Sequence, residues 1–238
     1  MKFSKAILST AVLFASSMTV ANTYHAEVGL NYTDLDNDAT QITLNGRYHF
    51  TEVDTSNKPL AEAAFLQKRS FINASHTEFD FDGFNADAQT VGVGFYIPNS
   101  IFYVGATYYK LEDDNDTLIE VGITPVDGLL VTTQHFTESD DYTANIQAKY
   151  VRPLSNDTAI NVEAGFVKGE DGFDDTFGVA ADYYFTNFFS VGAMVSDSDD
   201  TSYGIRTRYF FNDSFSVNGE VTSQDNADTY TIGAAFRF

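Results

Sequence analysis

Stretches of about ten residues in which every second side chain is apolar recur along this chain, and they leave it few folds to choose from. The cleanest runs from Thr229 to Phe238. Tyr230, Ile232, Ala234, Phe236 and Phe238 alternate there with Thr229, Thr231, Gly233, Ala235 and Arg237. A period of two places the two sets on opposite faces of a strand. One face is wholly apolar with aromatics at both ends; the other is polar or small.

The same pattern is read upstream in order. It predicts strands over Tyr24 to Thr33, Gln41 to Phe50, Ser70 to His76 (the poorest alternation), Ala88 to Ile97, Ile101 to Lys110 and Leu118 to Thr124. Further strands are predicted over Leu129 to Phe136 (of open facing), Tyr142 to Val151, Ala159 to Val167, Thr176 to Phe185, Phe188 to Val195, Ser202 to Phe211 and Phe215 to Thr222. With the last strand this makes fourteen, or twelve if the weak ones are left out; both are even, as a bacterial barrel requires. Thr51 to Arg69 breaks the rhythm. Its Pro59 to Lys68 portion has helix formers after a proline, which predicts a short helix or ordered turn.

Two regularities choose the solvent. Outward aromatics gather at strand ends, with Phe50, Phe95, Phe185 and Phe211 at one end and Tyr32, Tyr108, Phe177 and Tyr203 at the other. That is a double interfacial girdle, where a soluble sandwich would keep its aromatics in the core. Connections after odd strands are acidic and hold 23 of the 34 acidic residues, whereas most connections after even strands are tight and nearly neutral. The fold class expected is therefore all-β: a transmembrane antiparallel β-barrel occupying residues 22–238.

Residues 1–21 read as a signal peptide. Lys2 and Lys5 precede the apolar run Ala6 to Ala15, and small residues end at Ala21. That run is too short to span a bilayer, which takes about 20 residues. The expected location is the outer membrane of a Gram-negative bacterium. There is no cysteine, so thiol chemistry and Cys-based zinc sites are excluded. The formal charge of −21 excludes a basic nucleic-acid surface.

The terminal aromatic, preceded by apolar residues at alternate positions, resembles the C-terminal signal of outer-membrane barrels. It implies delivery to the barrel-assembly machinery through the strand ending at Phe238. The segment Lys58-Pro-Leu-Ala-Glu-Ala-Ala-Phe-Leu66, followed by a Ser-containing third strand, resembles a motif of the small porins of gammaproteobacteria. That group includes an outer-membrane water and solute channel whose loss is linked to carbapenem resistance. The resemblance implies a monomeric 14-stranded barrel in outer-membrane lipid, with a narrow lumen for water and small solutes. It brings no catalytic residue and no cofactor.

Alternation turns a small set of charges inward: Arg47, Arg206, Arg208 and Arg237 with Glu27 and Glu220 along one arc of wall, and Glu163 and Asp182, with Lys149, along another. They are read either as a constriction that sets ion selectivity or as structural pairs filling a narrow lumen. The expected function is passive diffusion of water, ions and small hydrophilic solutes with a weak cation preference. A plugged barrel presenting acidic loops is the alternative, and Phe79, Phe81, Phe84 and Phe173 suggest a loop that constricts the lumen. Asp34, Asp36 and Asp38 begin like a calcium loop, but Ala39 stands where glycine belongs and no Glu closes the motif, so no metal site is assigned. His25 and His49 are expected to face inward near each other, and no nucleophile motif accompanies them. An enzyme is not expected.

Overall fold

The computed structural model describes residues 22–35, 39–81, 83–138, 143–154, 157–169, 174–224 and 227–238. The signal-peptide reading of residues 1–21, the acids Asp36 and Asp38, Tyr142 and Phe173 lie outside these. The strands are β1 (Thr23–Leu35), β2 (Ala39–Asp54), β3 (Phe71–Phe81), β4 (Phe84–Tyr96), β5 (Phe102–Leu111), β6 (Asp114–Ile123) and β7 (Leu129–Phe136). They continue as β8 (Asn145–Pro153), β9 (Ala159–Val167), β10 (Thr176–Thr186), β11 (Phe189–Asp197), β12 (Thr201–Phe210), β13 (Phe215–Gln224) and β14 (Ala227–Arg237). Each pairs antiparallel with its neighbours, and β14 pairs with β1, closing a 14-stranded barrel. Closure leaves no unpaired edge, the condition for a sheet in hydrocarbon. The terminal carbonyl helps complete it: Phe238 O accepts from the amides of His25 (2.9 Å) and Ala26 (2.8 Å).

No helix among the described residues is long and apolar enough to cross a membrane; the strands do so. Their outer face is apolar and open, with Ile232 66%, Ile205 64% and Tyr203 63% exposed. Such a surface wrapped around the whole molecule suits lipid, not water. Aromatic side chains form a continuous chain along one end of β10 to β13, with Tyr183–Phe185, Phe185–Phe189, Phe189–Tyr209, Tyr209–Phe211 and Phe211–Phe215 centroids 4.8–6.2 Å apart.

Three expectations change. The acidic connection after the third strand is mostly strand: β3 and β4 pair out to Phe81 and Phe84, with Gly83 (φ 87°) in the turn. Acids such as Glu78, Asp80 and Asp87 therefore sit on strand ends that rise past the outer girdle. Phe79, Phe81 and Phe84 stack along the inward face of this hairpin, with Phe81 and Phe84 largely exposed. They do not form a separate loop folded into the lumen.

The start of β1 also departs from strict alternation. The β1–β2 register shifts between Tyr24 and Ala26, a bulge that turns the strand. Tyr24, expected on the lipid face, is buried against Val53 and Ala63. His25 goes the other way and lies flat on the outward Tyr48 at 5.8 Å, while His49 is buried between Tyr24 and Phe71. The two histidines therefore do not both face inward, although His25 Nδ1 lies 3.2 Å from His49 O.

The third change is β7, whose facing the sequence left open. Ile119 pairs with His135, Val121 with Thr133 and Ile123 with Val131, so Leu130, Thr132, Gln134 and Phe136 face the lumen.

Candidate permeation pathway

The link between β2 and β3 makes contact with side chains of the barrel wall from several strands. It does not hang below the barrel. A 3₁₀ turn (Leu60–Glu62) runs into one helical turn, α1 (Ala63–Leu66), and both lie across the periplasmic mouth. Its apolar residues have no strand period because they pack against the inside of the wall. Leu60 is 1% and Ala63 0% exposed, with Val53 and Tyr24 beneath them. Burying one such leucine contributes about 1.5–3 kcal/mol.

Hydrogen bonds tie the link to many walls in turn. The Thr55 amide and hydroxyl both donate to Asn22 O at 2.8 Å. Leu60 N donates to Asn187 O in the β10–β11 turn (2.8 Å). Gln67 serves as a surrogate peptide, donating to Asp54 O and accepting from Asp54 N. Lys68 reaches Thr124 (3.2 Å). Gly128 lets the far side close: its φ is +77° and a Cβ there would lie 2.1 Å from Val151 O and 3.7 Å from Leu66 Cδ2.

Glu62 is the link's polar anchor, and sequence reasoning did not name it. It is 6% exposed. One carboxylate oxygen accepts from Tyr184 Oη (2.7 Å), and the other lies 3.0 Å from Lys149 Nζ. Lys149 in turn lies 3.1 Å from Glu163 and 5.2 Å from the Phe65 ring centroid. Arg206 makes a forked pair with Asp182 (2.7 and 2.6 Å) and reaches Glu163 at 3.5 Å. Asn161, 1% exposed, donates to both Glu163 and Asp182.

A second cluster joins the barrel's closing strands. Arg237 bonds Glu27 through Nε and Leu60 O through a terminal nitrogen (2.9 Å). Its guanidinium lies between the rings of Tyr24 (4.6 Å) and Phe210 (4.5 Å). Arg208 approaches the other Glu27 oxygen at 3.6 Å.

All eight predicted selectivity residues face the lumen side, but they are not equivalent. Arg237 (3% exposed) and Asp182 (7%) are buried and serve as anchors. Glu27, Glu163, Arg206 and Arg208 line an interior cavity of 420 Å³ together with Glu220 and Glu62. Arg206 pairs with Glu163 and Asp182 of the other arc, and the link meets both arcs, through Glu62 at Lys149 and through Leu60 O at Arg237. Arg47 has no carboxylate within ion-pair distance among the described residues and stacks on Phe71 at 4.4 Å. It borders a 220 Å³ pocket on the other side of the link, shared with His49, Phe65 and Arg237. Above the first cavity a wider one of 630 Å³ is bordered by Glu120, Leu130, Val167 and Met194. Alternation places Glu120 inward opposite Gly105 and Gln134. The signal for it was present in the sequence, since its neighbours Ile119 and Val121 point outward.

A family model described as "Putative general bacterial porin" matches residues 1–120 and 122–238. The crystal structure of the outer membrane protein Omp33 of Acinetobacter baumannii is similar over 91% of this chain and 99% of its own, at 27% identity and a TM-score of 0.79. KdgM porin in complex with disordered oligogalacturonate shares the fold at 13% identity and a TM-score of 0.50, over 89% and 99% of the two chains. No curated protein matches the sequence.

Proposed function

We propose, from the premise that this chain belongs to the general bacterial porin family and forms an outer-membrane channel, that it passes water, small ions and small hydrophilic solutes by diffusion, with a weak cation preference. Family and fold imply a channel rather than an enzyme. The observation that carries the finer reading is the balance of unpaired charge along the lumen. Lys149, Arg206, Arg208 and Arg237 each have a carboxylate partner. Glu120 and Glu220 have no ion-pair partner among the described residues, and only Arg47 opposes them with a cation equally unmatched. The surplus is acidic, and so is the outer rim, so cations are concentrated on the way in. The link narrows the periplasmic end, which limits passage to water and small solutes.

A monomer is the state that the resemblance to the small porins implies, and the closed sheet is compatible with it. The strand ending at Phe238 is the segment offered to the assembly machinery. A plugged barrel is the second reading, and the many bonds holding Leu60 and Glu62 in the mouth favour it.

Single-channel recording of the refolded mature protein in a planar bilayer, with reversal potential under a KCl gradient, tests both. Discrete steps with a cation-sign potential are expected. A folded barrel that stays silent would sink the channel reading and leave the plugged one; an anion-sign potential would place control with the arginines.

A further inference from the structure

Glu120 and Glu220 are the lumen carboxylates without an ion-pair partner among the described residues, and Glu120 lies beside the tyrosines of β4 and β5. Glu27, Glu62, Glu163 and Asp182 are matched by Lys149 or arginines, whereas Glu120 accepts hydrogen bonds from Gln134 Nε2 at 3.3 Å and from the Tyr103 phenol and pairs with no cation among the described residues. Its surroundings combine rings and aliphatic side chains with polar ones such as Thr132 and Gln147. A Cβ on Gly105 would lie 3.0 Å from Glu120 Oε2 and 3.3 Å from Tyr103 Oη, so the bare glycine lets carboxylate and phenol lie side by side. Tyr103 packs on Tyr96 at 4.9 Å. One lumen-facing row farther out, Leu118 pairs with Phe136, whose ring is 6.1 Å from Tyr109. The 630 Å³ cavity that Glu120 enters carries Leu130, Val167 and Met194 on its walls. Lys149 and Arg206 reach the same cavity, but Glu62, Glu163 and Asp182 already answer their charge.

We propose that Glu120, with this wall, binds a small organic cation: an ammonium on a short apolar body. A carboxylate beside ring faces and aliphatic side chains favours a positive charge. A hard inorganic cation needs several oxygen ligands, and no described group of three acidic or histidine side chains could hold a metal ion. An alkyl or aryl ammonium needs fewer, because apolar contact and ring faces offset its desolvation. The site deepens the cation-preferring reading; it rests on that reading for its role in transport, not for its chemistry.

The test is calorimetric titration of the refolded mature protein in detergent with benzylammonium chloride, and with benzyl alcohol as the uncharged probe. Saturable binding of the ammonium, at least tenfold tighter than the alcohol, is expected. Glu120→Gln, nearly the same shape, should weaken the ammonium at least tenfold and leave the alcohol unchanged; Phe136→Ala should weaken it severalfold. Heat-modifiable gel mobility verifies that each variant is folded. Equal affinity for the two probes, equal affinity in wild type and Glu120→Gln, or no binding would overturn the proposal. Binding in detergent needs no conducting pore, so the two readings fail separately. A silent barrel that binds the ammonium loses only the channel, and a cation-selective channel that ignores it loses only the site.

Discussion

Arg237 shows how far alternation reaches at the scale of a residue. Its inward facing was legible, because Phe236 and Phe238 must meet lipid. Its burial was not, because the ring that covers it, Tyr24, is turned inward by a bulge that leaves no mark in the pattern. Glu62 was illegible for a different reason: it belongs to no strand, so no period assigns it a side. Both residues hold the periplasmic end together. Arg237→Met should lower stability by about 3 kcal/mol, since it leaves Glu27 half-buried without its nearest cation. Guanidinium unfolding followed by circular dichroism reads this directly. Tyr184→Phe keeps the ring but removes the donor to Glu62. A hydrogen bond to a charged group contributes about 1.5–3 kcal/mol. Longer or more frequent openings are therefore expected in single-channel traces, and unchanged gating would mean that Lys149 alone secures Glu62.

At the scale of elements, lipid made the strands readable. Most crossings present an apolar side chain at every second position; β3 and β7, whose outward faces carry His76 and Thr133 with His135, are the ones that read poorly. The pattern ends where lipid ends. Beyond the outer girdle polar residues continue the β3–β4 hairpin, so strand reads as loop. Inside the mouth the link answers to wall packing, and Leu60, Ala63 and Leu66 follow the shape of the barrel. Replacing residues 60–66 with a Gly-Ser linker of equal length should raise conductance severalfold while leaving the heat-modifiable shift intact. No rise would show that the narrowest point lies elsewhere. The β7–β8 junction is a second local device. Its backbone ladder runs from Leu129–Tyr150 to Thr132–Gln147. Past that, the Asn145 side chain stands in for a peptide, accepting from Gln134 N and donating to Gln134 O, both at 2.7 Å. Asn145→Ala should speed amide exchange at Gln134 by tenfold or more, because about 1–2 kcal/mol of local protection is lost.

On the scale of the whole molecule, charge is sorted by distance from the lumen. Among the described residues most acids lie on the outer rim, while the lumen is nearly neutral apart from Glu120, Glu220 and Arg47. These two populations answer differently to salt. A rim charge acts on a passing ion through solvent, and its field falls off over about 10 Å at 0.1 M ionic strength but about 3 Å at 1 M. A lumen carboxylate meets the ion at contact, where little solvent intervenes to screen it. The preference for K⁺ over Cl⁻ should therefore fall as salt rises at a fixed concentration ratio, and then level off above unity. The residual preference belongs to Glu120 and Glu220. In the double variant Glu120→Gln, Glu220→Gln the plateau should drop to unity or below, because Arg47 is then the unmatched charge, while the low-salt preference persists through the rim. A plateau unmoved by the double variant would assign selectivity to the rim alone and make the lumen charges purely structural. Reversal potentials at two salt levels, in wild type and the double variant, separate these two outcomes.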